Sequence, residues 1–180
     1  MKRRALIFAL ALLACITCFI LVVPIRALRL PGNNIGYEPA QPIQFSHKQH
    51  AGDMQISCLY CHSAADKSRH AGIPSDQICM NCHREVKANL DVKGTSPEIQ
   101  KLYDAIEQRR PVTWTQVYRV PSFVRFDHSR HVHGDVDCAS CHGAVETMDR
   151  LKQTSTLSMG ECLKCHRQQN ASIDCAACHQ

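Results

Sequence analysis

Five copies of one pentapeptide organise the cysteines of this 180-residue chain: Cys58-Leu-Tyr-Cys61-His62, Cys79-Met-Asn-Cys82-His83, Cys138-Ala-Ser-Cys141-His142, Cys162-Leu-Lys-Cys165-His166 and Cys175-Ala-Ala-Cys178-His179. Ten of the twelve cysteines are used this way; Cys15 and Cys18 lie in an apolar N-terminal run and have no histidine after them. Thiols at i and i+3 leave one face of a helical turn and reach the two vinyl groups of one porphyrin. The histidine that follows brings its imidazole to the iron as proximal ligand. CxxCH is therefore read as covalent attachment of haem c, five times over. A zinc ribbon pairs two CxxC knuckles and needs no histidine after each. A thioredoxin-type pair occurs once, in a βαβ context that is missing here. Disulfide pairing gives no reason for the histidine.

Each iron has two axial positions, and His62, His83, His142, His166 and His179 supply one apiece. The spare histidines are His47, His50, His70, His128, His131 and His133. Four of them sit in two copies of F-x-H-x-x-H, Phe45-Ser-His47-Lys-Gln-His50 and Phe126-Asp-His128-Ser-Arg-His131. Imidazoles at i and i+3 project from one face of a short helix, so one turn can serve two haems. Repeat logic assigns His47 to the first haem, His70 to the second, His128 to the third and His131 to the fifth. The second copy has no histidine where the first has His70. The corresponding stretch, Val145-Glu146-Thr147-Met148, offers a thioether, and Met159 before Cys162 offers another. The expectation is four bis-His haems and one His–Met haem at Cys162–Cys165, with Met148 the first choice and Met159 the second. A thioether would raise that haem's potential. His50 and His133 are left as surplus ligands, or as alternatives that would make all five haems bis-His.

These ligands need little regular structure to hold them. Each F-x-H-x-x-H precedes two CxxCH units and the second copy adds a third, which reads as a duplicated haem module over roughly 37–90 and 120–180. The expected fold is mostly irregular, with short α-helices at the CxxCH units. Aromatic residues make up only 6% of the chain, too few for an ordinary core. About 150 residues around five macrocycles, roughly 30 residues each, make the haems themselves the interior. Between the modules, Ser96-Pro97 reads as a helix start, and Ile99, Leu102, Tyr103 and Ile106 form an apolar stripe that Pro111 ends. That helix either packs on the haem domain or presents a docking surface.

Charge separates the chain into two parts. Lys2, Arg3, Arg4, Arg26 and Arg29 precede the first acid, Glu38. From Pro31 onward basic and acidic residues balance, so the formal net charge of +5 belongs to the N-terminus and is no nucleic-acid footprint. Ala5 to Val23 carries no charge, and about 20 apolar residues suffice to cross a bilayer. The expectation is an uncleaved N-terminal membrane anchor over 1–30, N-terminus inside, ahead of a haem domain over 31–180; a cleaved signal peptide is the alternative. Because haem c is attached after export, the haem domain is expected on the periplasmic face of the bacterial inner membrane.

Several strings between the haem motifs carry a resemblance. Pro42-Ile43-Gln44-Phe45-Ser46-His47, His70-Ala71-Gly72-Ile73-Pro74-Ser75, Val120-Pro121-Ser122-Phe123-Val124-Arg125-Phe126-Asp127-His128 and Leu157-Ser158-Met159-Gly160 resemble class III-type multihaem subunits of bacterial quinol-oxidising complexes. The pentahaem cytochrome c subunit of alternative complex III is the nearer likeness, and the hexahaem subunit of the periplasmic menaquinone reductase complex is a relative. The resemblance implies an electron-relay subunit working with polytopic quinol-binding subunits, an iron–sulfur/molybdopterin-type periplasmic subunit, and a monohaem cytochrome c or soluble acceptor. No catalytic constellation of its own is visible. A free-standing membrane-anchored quinol dehydrogenase is the alternative reading.

Five attachment motifs predict an intact mass equal to the mature polypeptide plus five haems, roughly 3 kDa in all. An increment for four haems or fewer, or bound zinc, contradicts the count.

Overall fold

The computed structural model describes residues 2–22, 34–87 and 94–179. The end of the expected anchor, residues 23–30, and the last residues of the first module, 88–90, lie outside them. The chain divides into two compact units, one ending at Pro31 and one beginning at Gly32.

The first unit is built on helix α1, Lys2–Val22. Beyond Arg4 its described large side chains are apolar and exposed all round, Phe8 at 75% and Phe19 at 67%, and Thr17 returns its hydroxyl to the Leu13 carbonyl at 2.7 Å. Among the described residues no helix is long and apolar enough to cross a membrane. Of the expected span, Ala5 to Val23, the side chains of Ala5, Leu21, Val22 and Val23 lie outside those described.

The second unit strings short helices on irregular chain: a π-helical turn Lys48–Asp53, α2 Cys58–Cys61, α3 Asp76–His83, α4 Pro97–Glu107, α5 His128–His133, α6 Ala139–His142, a 3-10 turn Val145–Thr147, α7 Met159–Gln168 and α8 Cys175–Cys178. Every CxxCH unit lies on or against one of these helices. Among the described residues the only β contact is an isolated antiparallel bridge between Val124 and His179. Among the described residues the buried apolar ones are Ala65, Leu102 and Val117, far less than a unit of this size needs for stability. Its interior has to come from something other than side chains.

The two F-x-H-x-x-H turns have one design and differ by one residue. In each, the residue between Phe and the first His holds the turn: the Asp127 carboxylate accepts from Ser129 N at 3.0 Å, and the Ser46 hydroxyl accepts from Gln49 N at 3.1 Å. Such caps satisfy amides that the turn leaves open. Three residues before the first cysteine, both chains pass through a left-handed residue, Gln55 at φ 55° and Asp135 at φ 55°. The first module has one more residue between His and Cys, and a wider turn absorbs it. Met54 N bonds to Gln49 O at 3.1 Å, the i to i+5 pattern of a π-turn, which accommodates an inserted residue without unwinding the helix.

Helix α4 starts where the sequence places it, with the Ser96 hydroxyl accepting from Glu98 N. It ends before the expected stop at Pro111, because the chain turns left-handed at Arg109, φ 52°. Of the two readings offered for it, the structure shows packing. Leu102 is 5% exposed, Glu98 Oε2 accepts from Gln44 N at 2.7 Å, and the Tyr103 hydroxyl donates to the His83 carbonyl. The helix therefore braces both the approach to Phe45 and the end of α3.

The π-turn also packs on the 3-10 turn of the second module. Lys48 N donates to Met148 O at 2.9 Å, and a Cβ added to Gly52 would stand 2.3 Å from the Glu146 carbonyl oxygen, a backbone atom. Gly52→Ala must push the two turns apart, and overpacking of this kind costs about 1–3 kcal/mol. Thermal unfolding of the holoprotein is expected to show a lowered Tm; an unchanged Tm contradicts this packing.

Candidate haem-ligand sites

Phenylalanine organises both histidine turns. Phe45 meets His47 edge-on, 4.9 Å between centroids at 88°, and stacks on His50 at 4.3 Å and 28°. Phe126 repeats this with His128, 4.8 Å at 90°, and His131, 4.5 Å at 30°. Trp114 closes over Phe45 at 6.5 Å. Two imidazoles one turn apart are thus splayed from a common aromatic wedge, each toward a different CxxCH histidine.

The partners of these rings are specific. His128 stands 6.4 Å from His142 with the planes 9° apart; His131 stands 6.1 Å from His166; His50 stands 5.9 Å from His83. For His47 the link to its motif is electrostatic: a charge on His62 lowers its pKa. Two imidazoles bound through Nε2 to one metal ion, at roughly 2 Å per bond and roughly 1.1 Å from nitrogen to centroid, stand about 6 Å apart. Three measured pairs have that separation.

The other ring nitrogens are committed to backbone carbonyls. Nδ1 donates to Gly72 O in His62, to Val86 O in His83 and to Arg69 O in His128, each at 2.8 Å. It donates to Ser46 O in His50 at 2.8 Å and to Asp127 O in His131 at 2.7 Å; in His166 it donates to Ser172 O at 2.5 Å. A carbonyl on Nδ1 fixes the tautomer, aims Nε2 and raises its basicity as a ligand. His47 departs from the pattern, because its buried Nδ1 has no hydrogen-bond partner. The acceptor for its counterpart His128 comes from Arg69, a residue of the first module. Duplication copied the turn but not the segment lying beside it.

Burial favours the neutral form at three of these imidazoles. His47 is pushed down to about 4, first by desolvation, then by His62 and His50. His142 is lowered by burial and then by His128 and His62; His50 is lowered by burial, against the Ser46 carbonyl, and by His83. A neutral imidazole keeps the lone pair that ligation requires. The thiols of Cys61, Cys79, Cys138, Cys141 and Cys162 are all raised, burial being the largest cause. These cysteines are held as thiols, unlike the activated cysteines of redox enzymes.

The geometry brings together rings other than those the expected assignments pair. The imidazole opposite His83 is His50, not His70, because the Phe45 stack turns His50 toward α3. His70 is exposed and follows Arg69, whose carbonyl accepts from His128 Nδ1. The ring opposite His166 is His131, which was expected at the fifth motif. Met148 lies on the strand of chain bonded to Lys48, and Met159 is 62% exposed. At the fifth motif the ring beside His179 is Phe123, 5.9 Å away at 26°. Phe123 was not singled out as a site residue from the sequence. Its signal is the Pro121–Val124 turn, closed by Val124 N donating to Pro121 O at 3.0 Å, which places Val124 across from His179.

Thiol pairs on single helical turns, imidazoles paired at metal-bridging separation and a nearly empty core fit covalently bound haem c, and they define a multihaem c-type cytochrome. Residues 43–102 and 124–180 match the family of cytochrome c7 and related cytochrome c, and the chain belongs to that family. Both matched segments begin two residues before a Phe of an F-x-H-x-x-H turn. The chain is also 28% identical over 167 residues, 78% of its length and 77% of the other's, to the multiheme cytochrome c subunit of menaquinone reductase from Nitratidesulfovibrio vulgaris.

The pairings predict that His131→Met raises the potential of one haem only, by on the order of 0.1 V, within the ~0.8 V that axial ligands control. Met148→Ala leaves every potential in place. A redox titration in which Met148→Ala lowers the highest potential, and His131→Met changes nothing, restores the methionine ligand.

Proposed function

We propose that this chain is the pentahaem electron-relay subunit of a membrane quinol-oxidising complex of the alternative complex III type. The observation that carries the reading is the paired use of each Phe-wedged turn, which puts successive ligand sets side by side. When bound, haem iron supplies reversible one-electron exchange. The chain's own residues do the rest. Cys58, Cys61, Cys79, Cys82, Cys138, Cys141, Cys162, Cys165, Cys175 and Cys178 tie down five macrocycles. His62, His83, His142, His166 and His179 are the proximal ligands, and His47, His50, His128 and His131 the distal ligands of the first four haems in order. The fifth iron then draws its second ligand from outside the two turns, where His70, Met148 and Met159 remain of the expected set.

The relation to a menaquinone reductase subunit supports work beside a quinol site. The role has the haem domain periplasmic and anchored through α1. A helix apolar on every face has to be covered by lipid or by other apolar helices, and the uncharged run from Ala5 to Val23 supplies the length. The partners are polytopic quinol-binding subunits, an iron–sulfur subunit, and a cytochrome c or soluble acceptor.

Detergent extraction of native membranes tests this reading. The chain is expected to purify with an iron–sulfur and a polytopic subunit, and the preparation to oxidise a menaquinol analogue. Purification alone, with quinol oxidation retained, would favour the free-standing dehydrogenase.

A further inference from the structure

We propose that backbone carbonyls on the ligand histidines sort the four paired haem sites into two potential classes, with the first and third motifs above the second and fourth. The inference rests on the ligand pairing proposed above and adds what sets each site's potential. All four sites carry two histidines, so axial-ligand identity does not separate them. Their eight rings are all half-buried, so exposure does not separate them either. What differs is the hydrogen bond on Nδ1.

At the second and fourth motifs both rings are bonded. His83 Nδ1 donates to Val86 O and His50 Nδ1 to Ser46 O, each at 2.8 Å. His166 Nδ1 donates to Ser172 O at 2.5 Å and His131 Nδ1 to Asp127 O at 2.7 Å. At the first motif His62 Nδ1 donates to Gly72 O at 2.8 Å, while the buried Nδ1 of His47 has no partner. At the third, His128 Nδ1 donates to Arg69 O at 2.8 Å, and His142 Nδ1 meets no acceptor among the described residues. Tyr118 holds the His142 ring instead, 4.5 Å between centroids at 69°, and its hydroxyl donates to the His142 carbonyl at 3.2 Å. That contact orients the ring and places no carbonyl on its Nδ1.

The split follows partly from how the turns are built. His50 and His131 each bond to the carbonyl four residues back, of Ser46 and Asp127. Their acceptor belongs to the turn itself, so duplication copies it. His47 and His128 need an acceptor from another segment, and only His128 finds one. A carbonyl drawing on the Nδ1 proton gives the imidazole anionic character, which makes Nε2 a stronger donor and favours ferric iron. Two such carbonyls favour it more than one. Each site exchanges one electron, ferric to ferrous, and the Nδ1 protons stay in place. Electrons delivered from quinol oxidation therefore settle first at the first and third motifs. Each module pairs a site that holds an electron with one that passes it on.

Spectroelectrochemical titration of the full-length holoprotein tests the two classes. His47→Met, His50→Met, His128→Met and His131→Met are each expected to move one component upward, and the wild-type position of that component is the site's potential. The components moved by His47→Met and His128→Met are expected above both of those moved by His50→Met and His131→Met. Either of the latter at or above either of the former overturns the classes while leaving the pairing intact. A substitution that moves no component refutes the pairing, and the classes with it. Gly72→Ala tests the cause. Gly72 stands at φ 74°, which alanine adopts only under strain, so the carbonyl is drawn off His62 Nδ1 and the first-motif component is expected to rise. Gly36→Ala is the control, equally left-handed at φ 82° with no ligand histidine on its carbonyl, and is expected to leave all four components in place. A first-motif component unmoved by Gly72→Ala, or moved as far by Gly36→Ala, overturns the proposal.

Discussion

The structure depends on one arrangement used twice: a phenylalanine ring wedged between two histidines one helical turn apart. Edge contact with the first imidazole and face contact with the second fix both rings. Splayed in this way, one short turn meets two CxxCH histidines, at separations of 6.4 and 6.1 Å in the second module. Without the wedge the two rings would be free to rotate about χ1 and χ2, and neither would be committed to a particular partner. The surrounding hydrogen bonds serve the same end, since carbonyls on Nδ1 remove the remaining tautomeric freedom.

The near absence of buried side chains follows from the same economy. A polypeptide that places ligands instead of filling space needs caps, turns and left-handed residues more than it needs long helices. Gln55 and Asp135 mark the same bend in both modules, and the π-turn takes up the extra residue of the first. What little core exists, around Leu102 and Val117, supports the segment between the modules, where no CxxCH unit lies to organise the chain.

Much of this was legible in the sequence. The CxxCH units, the duplicated turns, the short helices and α4 are local patterns, and local patterns survive folding. The ligand pairing of the second and fourth motifs was not legible, because it depends on which way a ring leaves its turn. Repeat logic placed His70 by its position before Cys79. The stacked face of Phe45 instead sends His50 there, and Phe126 sends His131 to His166. Repeat logic also treated the missing counterpart of His70 as a gap at the fourth haem, whereas the ring of His131 stands beside His166. Phe123 escaped notice because its role comes from one backbone bridge, Val124 to His179, which has no sequence period.

The central claim is that the two Phe-wedged turns supply four distal imidazoles. Near-infrared magnetic circular dichroism of the fully oxidised, full-length protein reads it directly, because bis-imidazole and imidazole–thioether haems have separate charge-transfer bands. The account predicts intensity for at least four bis-imidazole haems per chain. Intensity for three or fewer would contradict it.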